Sequence, residues 1–113
     1  MVAAAYNSET VKKLETAVCQ IFDCKYSDII GFADTVPKKV VVFILSKLYG
    51  FSKYKIASEY KMTDLYVPTV VEKMELQMLR NAVFRDKIIS VCHQMNFKCS
   101  INLESLQKSY SAI

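Results

Sequence analysis

The chain has 113 residues, of which 52% are apolar and 23% charged, with only two glycines and two prolines. This balance excludes a disordered chain, which lacks the apolar surface to offset ordering entropy, and the scarcity of chain breakers disfavours a turn-rich β-sandwich. The formal charge is +4, and the excess sits in the middle: residues 36–61 hold six lysines against one glutamate, whereas residues 62–80 hold two basic groups against three acidic ones.

The first helix is expected to open at Asn7-Ser8, both good N-caps. Val11, Leu14, Val18, Ile21 and Phe22 then recur at helical spacing until Asp23-Cys24-Lys25. Ser27 is the expected cap of a short second helix, Asp28 to Phe32, ending near Gly31. The third follows Asp34-Thr35, with Pro37 in its first turn, where a missing N–H costs nothing. Val40 to Leu48 is apolar nearly all round, which marks a central helix packed on several sides, with Gly50 as its C-cap.

Ser52 is expected to cap a short helix, Lys53 to Tyr60, with Ile56, Ala57 and Tyr60 inward. After the turn Lys61-Met62-Thr63, Thr63 or Asp64 is the expected cap of a longer helix. Its buried stripe is Val67, Val70, Val71, Met74 and Met78, and its outer face Thr69, Glu72, Lys73 and Glu75. A further helix is expected from Ala82 to Met95, with Val83, Phe84, Ile88, Val91 and Cys92 inward. Asn102 is the expected cap of a last helix through Leu103, Leu106 and Tyr110. The sum is an all-α fold, a compact bundle of about six to seven helices in one domain over residues 1–113, with a C-terminal helical extension at about 96–113.

The residues for catalysis are missing from the pattern. The single histidine, His93, has no serine, cysteine or carboxylate placed to form a catalytic arrangement, and two isolated glycines make no phosphate loop. Cys19, Cys24, Cys92 and Cys99 match no compact zinc spacing and are expected to be free thiols, with Cys19 and Cys24 on different helical faces. The expectation is therefore no enzyme, no metal, no cofactor and no small-molecule substrate. The start carries no secretory pattern, and the longest apolar run, Val40 to Leu45, is too short to span a bilayer, so a cytoplasmic protein without a membrane partner is expected.

What remains is a helix-turn-helix candidate at about 52–80, a short helix and a longer one joined by a four-residue turn. Its expected phosphate contacts are Lys38, Lys39, Ser52, Lys53, Lys55 and Lys61, and its expected base contacts Thr63, Asp64, Tyr66 and Thr69. The rival reading is a regulatory or protein-interaction module on a helix-turn-helix scaffold that no longer binds DNA. Phe97, Ile101, Leu103, Leu106 and Tyr110 would then cover the core or form the seam of a homodimer.

Residues about 8–90 resemble the C-terminal DNA-binding domain of the bacterial replication initiator DnaA. The resemblance is carried by Lys25-Tyr26-Ser27-Asp28-Ile29-Ile30, by the central run Lys39 to Gly50, and by Phe51-Ser52-Lys53-Tyr54-Lys55-Ile56-Ala57-Ser58-Glu59-Tyr60. It implies a helix-turn-helix fold and double-stranded DNA as partner. The family's arginine-rich loop reads Phe32 to Lys39 here and keeps two lysines. Its base-contacting arginine and histidine have no counterparts in Lys61 to Val70, where Tyr66 and Thr69 stand as substitutes. The sequence contains no ATPase domain, so the resemblance implies a free-standing regulatory relative, bacterial or phage-borne.

Overall fold

Asn7 caps the first helix with its side-chain oxygen, which accepts the backbone N–H groups of Glu9 and Thr10. From there the computed structural model describes residues 7–96, which are all-helical, with no strand among them. The helices are α1 (Ser8–Phe22), α2 (Tyr26–Ile30), α3 (Val36–Phe43), α4 (Lys53–Glu59), α5 (Tyr66–Arg80) and α6 (Ala82–Gln94), and α3 runs on into a π-helical turn, Ile44–Leu48. The extension beyond Asn96, with Cys99 and the helix expected after Asn102, lies outside the described residues. None of the described helices is long and apolar enough to cross a membrane.

α3 is the axis of the bundle. Val40, Val41, Val42, Phe43, Ile44 and Leu45 are all at most 1% exposed, which is possible only for a helix covered on every side. α5 packs along it most extensively, α1 and α2 cover other sides, and the π-helical turn reaches α4 and α5. That turn is one finding the apolar pattern did not announce: Tyr49 N–H donates to the Ile44 carbonyl, one residue further back than in an α-helix. Gly50 follows at φ 69, the left-handed conformation expected of a C-terminal glycine.

Several boundaries differ from the sequence reading. α2 begins at Tyr26, because Asp28 accepts the Lys25 N–H across the first turn and Ser27 lies inside the helix. α5 begins at Tyr66 without a side-chain cap: the Thr63 and Asp64 backbone carbonyls, not their side chains, accept its first N–H groups. The connection from α4 to α5 is therefore residues 60–65, longer than the expected four. Val83 is 67% exposed, since Asn81 caps Phe84 N–H and the α6 stripe runs through Phe84, Ile88, Val91 and Cys92. Glu75, expected on the outer face of α5, is buried beside Lys47 at 3.6 Å. Cys19 and Cys24 do not diverge, because Asp23 takes a left-handed conformation and turns the chain back, so that Cys24 N–H reaches the Cys19 carbonyl.

The tie between α1 and the end of α4 is polar. Tyr60, 1% exposed, donates its hydroxyl to the buried Glu15 carboxylate at 2.9 Å. Burial raises the Glu15 pKa above 4.5, and the hydroxyls of Tyr60 and Tyr26 oppose that rise. Between 4.5 and the raised value the native state holds a proton that the unfolded chain has lost, so stability falls as pH rises through that window. Glu15→Gln keeps an acceptor for Tyr60 and buries no charge. It should unfold at equal or higher urea concentration than the parent at neutral pH, with its advantage shrinking below the ordinary glutamate range. Glu15→Ala removes the acceptor and should cost about 1–3 kcal/mol.

Candidate nucleic-acid interface

The loop between α2 and α3, residues 31–35, is pinned at four points. Thr35 Oγ1 donates to the Asp28 carbonyl and accepts Lys38 N–H at 3.3 Å. Lys38 Nζ donates to the Gly31 carbonyl. Asp34 accepts the Tyr66 hydroxyl proton at 2.6 Å and pairs with Lys39 at 3.5 Å. Lys61, in the turn before α5, sets its ammonium 4.3 Å from the centroid of the Phe32 ring. The loop, the α4–α5 turn and the first turn of α5 thus form one continuous face.

The expected DNA-contact residues divide on this geometry. Lys38 is 1% exposed, with burial pushing its pKa down, Asp34 pulling it up and Lys61 pushing it further down. Its ammonium is spent on the Gly31 carbonyl and is not presented to a phosphate, because position 38 shares the inner stripe of α3 with Val41, Val42 and Leu45. Lys39, one position on, is half-buried and paired with Asp34. Ser52 serves as the cap of α4, its hydroxyl accepting Tyr54 N–H at 3.3 Å. Lys53 lies 5.4 Å over the exposed Tyr54 ring, and Lys55 pairs with Glu59 at 3.0 Å. Lys61 is exposed, in a left-handed conformation with φ 56.

Of the expected base readers, Thr63 and Thr69 are exposed and Asp64 is half-buried. Tyr66 is half-buried, and its hydroxyl pKa is raised, first by the hydrogen bond to Asp34, then by burial and by the Asp34 charge. Its proton is therefore held inside the face. Lys73, which the sequence reading left out, comes within 3.4 Å of that hydroxyl and is exposed. It lies seven residues after Tyr66, two helical turns on, and that spacing was the available signal. The start of α5 offers no open anion cradle, because its first N–H groups return to the Thr63 and Asp64 carbonyls and Pro68 has none. Large apolar side chains also lie on this face: Phe32 is 83% and Leu65 78% exposed.

Away from this face, the described residues contain no group of histidine, cysteine or acidic side chains placed to hold a metal. His93 is exposed, Cys19 and Cys24 are free thiols, and Cys92 is buried. Burial, with Cys19 beside it, pushes the Cys24 thiol up to about 11, which keeps it protonated and poorly nucleophilic.

The loop's dependence on Lys38 is testable. Lys38→Ala leaves a void and an unsatisfied Gly31 carbonyl, and should cost about 3 kcal/mol. Lys38→Met refills most of the volume and should cost less. Gly31→Ala should also destabilise, because a Cβ there would meet the Ser27 carbonyl oxygen at 2.7 Å. Urea unfolding of the three variants measures the ordering.

Comparison with known protein families, with curated proteins and with solved structures gives no match to this chain.

Proposed function

We propose that the chain is a small, non-enzymatic DNA-binding protein of the helix-turn-helix kind, which engages duplex DNA through the face built by residues 31–35, the α4–α5 turn and α5. The observation that carries this reading is the concentration of ammonium groups there: Lys39 pairs with Asp34, Lys73 reaches the Tyr66 hydroxyl that Asp34 holds, Lys61 lies over the Phe32 ring, and Lys53 stands on the adjoining α4. α4 and α5 pack against one another, as a helix-turn-helix pair must. The order of helices adds support through its resemblance to the DnaA C-terminal domain. In this reading Lys53, Lys61 and Lys73 hold phosphates, Thr69 and Thr63 approach base edges, and α5 lies in the major groove. Glu72 on the same helix limits how closely its middle turns approach a phosphate.

A second reading, a regulatory protein-interaction module, is favoured by Phe32 and Leu65, since exposed apolar side chains of this size on a basic surface suit a protein partner as well.

A mobility-shift series on random duplex DNA separates the two. Binding should weaken steeply with salt, the log–log slope falling by about 0.9 for each phosphate contact removed. Replacing Lys53 and Lys73 with alanine and Lys61 with asparagine, which tolerates a left-handed backbone, should abolish most of the affinity. Asp34→Asn removes the carboxylate that pairs with Lys39 and should tighten binding severalfold while costing under about 1 kcal/mol of stability. Absence of binding by the parent at low salt would sink the DNA reading and leave the protein-partner reading.

A further inference from the structure

Phe32 is the most exposed large apolar side chain of the described residues, and it stands on one of their best-anchored loops. The Gly31 carbonyl is held by Lys38, Asp34 by Tyr66 and Lys39, and Thr35 by the Asp28 carbonyl. Gly31, Asp34 and Thr35 are anchored while the Phe32 ring is left in water.

The charge beside the ring is equally specific. Lys61 holds its ammonium 4.3 Å from the ring centroid. Around the ring the ammonium groups of Lys38, Lys39 and Lys61 outnumber the Asp34 carboxylate. A ligand complementary to this spot carries a flat π-face and a negative charge on neighbouring atoms. A nucleotide unit has both, the base for the ring and the phosphate for the ammonium, whereas an unmodified protein supplies a flat π-face and a negative charge only from separate side chains.

We propose that Phe32 is a wedge that stacks on a base displaced from the duplex while Lys61 engages the adjacent phosphate, so that the protein unstacks or kinks the DNA it holds. This rests on the DNA-binding reading above and names the form of DNA it takes. Anchoring the loop in advance removes the ordering cost of inserting the ring. A base that is already unpaired spares the unstacking energy, so such sites are preferred.

The test compares a random-sequence duplex with the same duplex carrying one unpaired 2-aminopurine, each titrated at low salt. The parent should bind the second about tenfold more tightly, as one base–aromatic stack implies, and should alter the fluorescence of the unpaired base. Phe32→Ala should bring the two affinities to parity while leaving the salt slope unchanged, and Phe32→Trp should restore the preference. Because the ring is exposed, both variants should keep the parent's circular dichroism and unfolding midpoint. A parent that binds both duplexes equally, or a Phe32→Ala variant that keeps the preference, overturns the wedge and leaves the DNA reading standing. A parent that binds neither duplex overturns both.

Discussion

The structure depends on burying α3 on every side. Val40 to Leu45 leave no face for solvent, so every other described helix is arranged to supply cover: α1, α2 and α5 along the helix, α4 against its π-helical end, and α6 bracing α1 and α5 from outside. Each buried Val, Ile, Leu or Phe of such a helix is worth roughly 1.5–3 kcal/mol, so α3 alone supplies a large part of the driving force. The same constraint catches Lys38 one turn earlier. A buried ammonium is tolerated only when something accepts its protons, and here the acceptor is the Gly31 carbonyl. The path of residues 31–35 is thus set by a core requirement, and the outer face is built on that path.

The fold was legible where apolar side chains repeat at helical spacing and where caps are local. Asn7, Thr35 and Ser52 sit at helix starts, accepting N–H groups two or three residues on. The less legible features share a cause. Glu15, Lys38 and Glu75 are charged and buried, and each occupies a position of its helix's inner stripe: Glu15 with Val11 and Val18, Lys38 with Val41 and Leu45, Glu75 with Val71 and Met78. Reading polarity as exposure hides these positions, whereas reading spacing alone exposes them. Their partners, Tyr60, Gly31 and Lys47, lie far enough along the chain that no local rule pairs them.

The candidate interface was legible in composition and much less so in direction. A surplus of lysine over residues 36–61 says that a basic face exists, but consecutive helical residues diverge by about 100°. Lys38 and Lys39 accordingly separate, one to the core and one to Asp34. Lys55 is matched by Glu59 one turn on, a pair visible in the sequence and of small energetic weight. Lys73 and Asp34 enter through Tyr66, a contact between residues 32 apart in the chain, which tertiary packing alone brings together.

Stability does not account for Phe32. Covering a phenylalanine ring gains about 1.5–3 kcal/mol, and Phe32, 83% exposed, forgoes most of that gain. Gly31, Asp34 and Thr35 already fix the loop without help from the ring, so the ring is not needed as an anchor. Lys61, the neighbour it does have, is itself mostly solvated, and an exposed cation over an aromatic face is worth well under the value of burial. An exposed aromatic side chain on an anchored loop, beside the Lys61 ammonium, contributes little to the folded chain by itself. In the proposed complex with DNA its contribution would come from stacking, and the ammonium groups around it favour a negatively charged partner.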